Sequence, residues 1–315
     1  MPRLPRRARY SPALAALVCL CLCLQLAQSA IAADAKPATR WGAEVGVGVE
    51  YDSNVSVEEV DTATNEGDYA LTVDAGVEMQ HDFNDTTELG LTYDFSQSAY
   101  DKFSQVDRQT HILGADLGLD FKSVDPALSV FYIVSRLDGG KFLDLYRASP
   151  SISGFLAKKW FARGAYAYSD KTIHEREGRD AKTNSGEGDL YYFRRGLRSY
   201  FNLGYRYRNE NARSDRYDYI SNSIKLRYIH RFEVFSRLSK LELAWRFENR
   251  QYDSDESNFG TKRDDDRNRW RIDYEIPLVE QAAIQFFWGY ADYQSNYAPA
   301  DYDQNLVGTR FIYSW

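Results

Sequence analysis

Arginine and acidic side chains recur at alternate positions along much of this chain and are its main candidates for chemistry. The arginines concentrate in the second half: Arg163, Arg195, Arg198, Arg206, Arg208, Arg227, Arg246, Arg269 and Arg271. The carboxylates concentrate in the first half: Glu44, Glu50, Asp74, Glu78, Glu88, Asp94, Asp116 and Asp120. A guanidinium can engage a carboxylate in bidentate fashion, and segregated charges attract and orient charged solutes. The pattern therefore favours transport or binding of charged solutes.

Acid–base catalysis would need a histidine beside a carboxylate or a serine. The chain has four histidines: His81, His111, His174 and His230. His111 and His174 fall where a surface enzyme could use them, but no serine-containing motif accompanies either one. The acidic run at 264–266 matches no calcium-loop spacing and is typical of a solvated loop. We therefore predict no enzyme activity, no metal site and no cofactor.

The first 32 residues have the pattern of a secretory signal peptide. Four arginines precede an apolar stretch at 12–27, and Ala30-Ile31-Ala32 supplies a small-x-small cleavage site. A membrane anchor is the alternative, but the apolar run is shorter than about 18 residues. All three cysteines lie at 19–23, so the mature chain is expected to have no disulfide and no thiolate ligand. The predicted organisation is a signal peptide at 1–32, a short periplasmic leader at 33–40 and one β-domain at 41–315.

The composition of the exported part narrows the class of protein. Because residues 1–32 contain four arginines and no acidic residue, removing them changes the net charge from −7 to −11. Such acidity argues against a nucleic-acid partner. Aromatic residues make up 15% of the chain, with 24 tyrosines, and beyond residue 32 no apolar run approaches the length of a spanning helix. Two classes remain: a soluble periplasmic β-protein, or a membrane barrel whose lipid-facing residues alternate with polar ones.

Alternation of apolar and polar residues identifies about fourteen strands, within a range of 12 to 16. In the first strand, Trp41, Val45, Val47 and Val49 alternate with glycine and glutamate. The predicted strands are 41–51, 69–79, 87–95, 109–121, 128–136, 145–156, 160–168, 188–195, 197–207, 219–231, 241–250, 269–276, 284–293 and 305–315. We predict an all-β fold, a transmembrane antiparallel up-and-down β-barrel.

The predicted connections differ in length at the two ends of the strands. Those at 52–67, 170–187, 252–267 and 294–303 are long and polar, whereas those after even-numbered strands are short. This asymmetry is typical of outer-membrane barrels with short periplasmic turns and longer external loops. A soluble β-sandwich explains strands of about ten residues and a terminal tryptophan poorly.

Two motifs resemble known families. Phe311, Tyr313 and Trp315 resemble the C-terminal signal of bacterial outer-membrane barrels, which implies recognition by the barrel-assembly machinery. The segment at 46–55, ending Tyr-Asp-Ser-Asn-Val, resembles the opening of the β-barrel porins associated with exopolysaccharide secretion. It is also similar to the opening of the barrel of surface lipoprotein assembly modifiers. No counterpart of the helical repeat domain of those modifiers precedes residue 41, which weakens this second resemblance.

The charges on the inward positions suggest the function. Neighbouring strands in an up-and-down barrel are neighbours around its wall, so one wall should be acidic and the opposite wall basic. We predict a pore or secretion channel of the Gram-negative outer membrane for polar solutes, with anionic polysaccharide as a candidate partner. The alternatives are a lumen filled by salt bridges, since fourteen strands is an intermediate size, and a non-conducting barrel that acts through its surface loops in structure, adhesion or lipoprotein assembly.

Overall fold

Fourteen antiparallel strands close into one barrel in the computed structural model, which describes residues 39–234, 236–255 and 261–315. The strand number and the all-β class are confirmed. The predicted signal peptide at 1–32 and nearly all of the leader at 33–40 lie outside the described residues. Among the described residues, no helix is both long and apolar enough to cross a membrane.

The barrel strands follow one another around the wall in sequence order, and the last pairs with the first. They are β1 (Thr39–Asp52), β4 (Asp68–Asn84), β5 (Thr87–Tyr100), β6 (Arg108–Leu119), β7 (Asp125–Leu137), β8 (Gly140–Ala157), β9 (Trp160–Ile173), β10 (Ala181–Phe193), β11 (Ser199–Ala212), β12 (Tyr219–Val234), β13 (Arg237–Asp255), β14 (Lys262–Pro277), β15 (Ala282–Ser295) and β16 (Tyr302–Ser314). Two further strands, β2 (Ser56–Val57) and β3 (Thr62–Ala63), form a hairpin in the connection after β1. Single 3₁₀ turns occupy Glu58–Val60, Ser104–Val106, Glu177–Arg179, Asp215–Tyr217 and Ala298–Ala300.

Strand β1 shows why the sequence forms a barrel. Its valines lie on the outer face, where Val47 is 47% and Val49 is 54% exposed, as expected for a surface that contacts lipid. Glycine and glutamate occupy the inner face. A Cβ atom at Gly48 would lie only 2.6 Å from the carbonyl oxygen of Thr309 and 2.8 Å from Thr72 Oγ1, so a glycine is required for the close approach of β1 to its neighbours.

The seam between β1 and β16 closes the barrel. Val47 lies opposite Phe311, and the backbones of Ala43 and Trp315 exchange hydrogen bonds of 3.1 and 3.0 Å. Ser314 Oγ donates to Glu44 Oε2 at 2.9 Å. An open sheet edge would leave backbone groups without partners in lipid, and this pairing removes that edge.

Several strands are longer than predicted, and two predicted loops are largely strand. β9 continues to Ile173 and β10 begins at Ala181, inside the predicted loop 170–187; β13 and β14 likewise occupy most of 252–267. The acidic run at 264–266 therefore lies within β14, and the prediction that it is a solvated loop was wrong. Backbone pairing does not require apolar side chains, so polar segments extend the strands beyond the apolar band.

The connections at the two ends of the barrel differ, as the sequence predicted. One end carries the connections 53–67, 101–107, 174–180, 213–218 and 296–301, together with a tight turn at 138–139. The other end carries 85–86, 120–124, 158–159, 194–198 and 278–281 and both ends of the described chain. In outer-membrane barrels the end with the shorter turns faces the periplasm, and we call the opposite end the outer end.

Candidate functional site: a loop inside the lumen and the charged wall it meets

The connection between β1 and β4 folds back into the outer end of the barrel. Asn54 fixes its entry: its Nδ2 donates to the carbonyl oxygen of Asp303 at 3.0 Å, and its Oδ1 accepts from the Asn65 backbone N–H at 2.8 Å. The β2–β3 hairpin holds the turn Glu58–Val60 at the tip. We call residues 53–67 the luminal loop.

An apolar cluster anchors the luminal loop to the wall. Val57 is 5% exposed and packs with Phe142, Leu143 and Ile173 at the outer ends of β8 and β9. Val60 adds to the same cluster. Burying these groups removes apolar surface from water at roughly 25 cal/mol per Å², which stabilises the folded-in position of the loop.

Glu58, at the tip of the luminal loop, meets the arginines of β13 and β14. Its carboxylate accepts hydrogen bonds from Arg269 at 2.7 and 2.8 Å, from Arg267, and from Arg250 at 3.4 Å. Tyr293 on β15 donates to it at 3.3 Å. Burial alone would raise the pKa of Glu58, but the three guanidinium groups lower it to about 2. The carboxylate is therefore held ionised by the wall it contacts.

Asp61 makes a second and more deeply buried contact. Arg263 donates to both of its oxygens at 3.0 Å, and Arg179 donates at 2.7 Å. Arg263 also binds Asp265 at 2.8 Å, and both residues are almost fully buried. Burial would raise the pKa of Asp61, but its hydrogen bonds and ion pairs with Arg263 and Arg179 bring it well below the usual range. The ring of Tyr252 lies 4.4 Å from the Arg263 guanidinium carbon and covers it.

The luminal loop also reaches the other side of the barrel. Glu59 forms an ion pair with Arg108 on β6 at 2.7 Å. Since Glu58 contacts β13 and β14, adjacent residues of the loop bind two separated parts of the wall. The loop thus crosses the outer end of the lumen instead of lining one side of it.

Sequence reasoning missed this site. Its residues are Glu58, Asp61, Arg250, Arg263 and Arg267. The prediction placed 52–67 and 252–267 in external loops, so Glu58, Asp61, Arg263 and Arg267 were not considered as luminal. Arg250 fell at the end of the predicted strand 241–250 but was not included in the basic wall. The available signal was the spacing of two from Arg263 to Arg271, which continues the inward face of β14 through Asp265, Arg267 and Arg269.

Most of the predicted basic wall faces the lumen. Arg163, Arg206, Arg208, Arg227, Arg246, Arg269 and Arg271 occupy inward positions on β9 and β11–β14. Arg195 and Arg198 instead lie in the periplasmic turn 194–198, where Arg198 forms an exposed ion pair with Glu233 at 3.8 Å.

Carboxylates interleave with these luminal arginines. Arg206 binds Glu187 at 2.9 Å, and Arg271 binds Asp273 at 2.8 Å. Arg163 lies within 3.9 Å of Glu187 and 3.8 Å of Asp189, Arg208 lies 3.8 Å from Glu248, and Arg227 pairs with Glu242. Glu187 was assigned to a loop by the sequence prediction. The wall is therefore a network of ion pairs and not a uniformly positive surface.

The predicted acidic wall lies on β1 and β4–β6. Glu44, Glu50, Asp74, Glu78, Glu88, Asp94 and Asp116 occupy inward positions, and Asp120 lies in the turn after β6. Asp74 forms an ion pair of 3.1 Å with Arg310 on β16. Ser129 donates to Asp116. For Glu50, Glu78 and Asp94 no ion pair is formed within the described part of the chain, so this wall keeps more uncompensated charge than the basic one.

The residues predicted to form the assembly signal lie at the end of β16: Phe311 and Tyr313 are on its outer face, and Trp315 directly follows the strand. Phe311, Tyr313 and Trp315 are 47%, 44% and 65% exposed. Among the histidines, His111 contacts Tyr93 at 3.0 Å, and His174 contacts Asp144 at 2.7 Å. Across residues 39–234, 236–255 and 261–315, no group of three or more potential ligands is arranged to hold a metal ion.

Comparison with solved structures shows that the fold is shared with known outer-membrane barrels. The anion-selective porin of Comamonas acidovorans matches with a TM-score of 0.51 and 9% identity, covering 89% of this chain and 100% of the porin. OmpT, an outer membrane protein of Vibrio cholerae, matches with a TM-score of 0.53 and 11% identity, covering 90% of this chain and 100% of that protein. At such low identity these similarities show the fold alone. No curated protein sequence matched this chain.

A family model places the chain more specifically. The model of the surface lipoprotein assembly modifiers matches residues 35–276, which is well over half of the chain. The matched segment covers the luminal loop and the strands β1 to β14 that hold it. The chain is an outer-membrane β-barrel that belongs to the surface lipoprotein assembly modifier family.

Proposed function

We propose that this barrel is a gated outer-membrane passage, closed at rest by the luminal loop, that serves the assembly of lipoproteins at the cell surface. The observation that carries the proposal is the binding of Glu58 and Asp61 to Arg250, Arg263 and Arg269 across the lumen. The cargo is suggested by the name of the family.

The contacts of the luminal loop suit a gate. The loop continues covalently into β1 and β4, and its other contacts are ion pairs, hydrogen bonds and one apolar cluster, all of which can dissociate. Its partners face the lumen, where water is available to hydrate the arginines once the loop leaves. A barrel of fourteen strands would then have a polar passage that a loop displacement of this kind uncovers.

The gate can be tested by single-channel conductance in planar bilayers. The double variant Glu58→Gln/Asp61→Asn removes both anchoring charges and keeps the side-chain shapes. We expect a larger conductance or a higher open fraction than in the wild type. The matched control is Glu66→Gln, because Glu66 lies in the same loop with an exposed side chain. Equal conductance in all three proteins would refute the gate.

The role in assembly needs a cellular readout. In cells that lack the barrel, fewer lipoproteins should be accessible to external protease than in cells that carry it. Wild-type protein should restore that accessibility, and a variant without strand β16 should not. Unchanged accessibility on removal of the barrel would contradict the assembly role while leaving the gate untouched.

A second candidate function is a pore for polar, anionic solutes such as carboxylated saccharides, including exopolysaccharide. Arg246, which faces the lumen without a carboxylate partner among the described residues, favours it. If the barrel is such a pore, we expect the Glu58→Gln/Asp61→Asn variant to conduct anions in preference to cations. Cation selectivity of that variant would exclude the anion pore. Under either function we propose that the barrel acts without catalysis and is surrounded by outer-membrane lipid. We also propose that the barrel-assembly machinery recognises Phe311, Tyr313 and Trp315.

A further inference from the structure

Five aromatic side chains point inward at the periplasmic end of β8–β11. We call them the mouth patch: Phe155, Phe161, Tyr191, Phe193 and Tyr200. The rings of Phe155 and Phe161 are 5.2 Å apart, those of Phe161 and Tyr191 are 5.9 Å apart, and those of Phe193 and Tyr200 are 5.7 Å apart. They form one continuous apolar surface inside the barrel.

This surface lies on the side of the wall where polar residues are expected. The lumen-facing residues directly above it are polar or charged, namely Ser153, Arg163, Asp189 and Asn202. The outer face of the same strands already supplies the apolar surface for lipid. Phe155 is 63% exposed, so packing within the barrel does not explain why a phenylalanine occupies this inward position. An exposed apolar patch at the entrance of a polar lumen is typical of a binding surface.

A positively charged cavity adjoins the mouth patch. Its volume is about 330 Å³, and Tyr191 lines it. Its charged side chains are Arg163, Arg206, Lys225 and Arg246, with Glu187 and Asp189. We call it the Arg246 cavity. Four cations face two carboxylates there, so the cavity favours an anion.

Strand register explains why Arg246 has no partner. Lys225, Arg246 and Arg269 lie opposite one another on β12, β13 and β14, and like charges placed in this way repel. Lys225 is neutralised by Asp189 at 2.9 Å and Arg269 by Glu58 of the luminal loop. Arg246, between them, forms no ion pair within the described residues. Its guanidinium is therefore free to bind a carboxylate that enters the cavity.

We infer that the mouth patch and the Arg246 cavity form one binding site for an entering polypeptide segment that carries carboxylates next to apolar side chains. The inference rests on the proposed function as a passage for polypeptides and specifies the segment that the passage receives first. Apolar side chains would lie on the mouth patch, and a neighbouring carboxylate would bind Arg246.

The ring geometry favours a polypeptide over a glycan. Of the five rings, Tyr191 and Phe193 lie nearly parallel, at 11°, whereas Phe155 and Phe161 meet at 67° and Phe161 and Tyr191 at 65°. The patch therefore offers one pair of parallel rings and not a continuous series of platforms for successive sugar rings. Three of the five side chains are phenylalanines, which cannot hydrogen-bond to sugar hydroxyls. Apolar peptide side chains need neither feature.

The site can be tested by fluorescence anisotropy with the full barrel in detergent micelles. The probe is a fluorescein-labelled synthetic peptide of alternating Glu and Phe. We expect Arg246→Gln and the double variant Phe161→Ser/Phe193→Ser each to weaken peptide binding by about tenfold. The first variant loses one charged hydrogen bond to the peptide, and the second loses apolar area that the peptide would bury. Both changes introduce polar groups into a polar lumen, so folding should survive, and heat-modifiable gel mobility verifies it. Arg246→Lys should retain part of the affinity.

Arg237→Gln is the matched control, because Arg237 lies in an exposed position at the periplasmic end of β13. Three results would overturn the inference: equal affinity of wild type, Arg246→Gln and the phenylalanine variant; equal binding of a peptide with Lys in place of Glu; or tighter binding of oligogalacturonate than of the peptide. The assay does not depend on conductance. A failed gate test with intact peptide binding would therefore count against the gate alone, and lost peptide binding with a working gate would count against this site alone.

Discussion

Glu58 and Arg269 are 211 positions apart in the sequence, yet the Arg269 guanidinium donates to both oxygens of the Glu58 carboxylate, at 2.7 and 2.8 Å. The contact joins the first connection of the barrel to its third-last strand. Because Glu58 is carried by a loop and Arg269 by the wall, their separation is a direct measure of whether the lumen is blocked.

The barrel should open only when the pH falls below about 5. The ordinary pKa of Glu58 is 4.5 and its pKa in the folded loop is about 2, so its ion pairs stabilise the closed loop fully above pH of about 5. That stabilisation decreases as the pH falls from about 5 to about 2 and is lost below this range. We expect constant conductance from neutral pH down to about 5, and an increase below it that is smaller in Glu58→Gln. An increase between pH 7 and pH 5 would contradict this reading.

Loss of Arg263 should destabilise the outer end of the barrel. Arg263→Met leaves Asp61 and Asp265 buried without their bidentate partner, and removing one member of a buried ion pair typically costs about 3–5 kcal/mol. We expect a lower urea midpoint of unfolding and release of the luminal loop. Arg213→Met is the matched control: Arg213 pairs with Glu177, but both are largely exposed, so about 1 kcal/mol or less is expected. Equal destabilisation by the two changes would show that burial is not decisive.

Charge reversal at Arg246 should change ion selectivity more than reversal at Arg206. Arg246 has no ion-pair partner among the described residues, whereas Arg206 is neutralised by Glu187. Reversal potentials in a salt gradient, measured in the Glu58→Gln/Asp61→Asn background, should move toward cations in Arg246→Glu. Arg237→Glu, at the exposed periplasmic end, should leave them unchanged. No shift in Arg246→Glu would mean that ions bypass the Arg246 cavity.

Deletion of 311–315 should abolish assembly and not merely transport. These residues pair with β1 from Val47 to Glu44 and include the Ala43–Trp315 backbone exchange. Without them one end of the seam has unpaired backbone groups in lipid, each costing several kcal/mol. We expect no heat-modifiable, folded band in membranes. Ser314→Ala, which removes a single hydrogen bond to Glu44, should fold normally; folded protein from the deletion would contradict the role of the seam.

The barrel could be predicted from the sequence because its determinants are local. Alternation within β1, for example Val47 and Val49 outward and Gly48 inward, is readable from a few consecutive residues and needs no partner. The same holds for the tight turn at 158–159, whereas the turn predicted at 81–85 is confined to 85–86 because β4 continues to Asn84. Strand ends were less accurate because polar residues continue the pairing beyond the apolar band, as at Ala181 and Lys262.

The site could be predicted only in part, because its contacts join residues that are distant in sequence. That Arg246 faces the lumen follows from spacing alone. That Glu58 and Asp61 lie inside the barrel depends on Arg263, Arg267 and Arg269, which are distant in sequence and were assigned partly to a loop. A polar segment after a strand has the same composition whether it extends into solvent or folds back toward partners. Only the closed barrel brings those partners within reach.

The order of the chain gives the luminal loop one more consequence. Glu58 and Asp61 belong to the first connection, whereas their arginine partners lie on β13 and β14. Contacts of such high sequence separation form late, because the intervening chain must be ordered first. The loop therefore cannot dock until nearly all strands of the wall have formed, so the lumen of an incomplete barrel stays open. Docking of the loop would then mark the completion of barrel assembly.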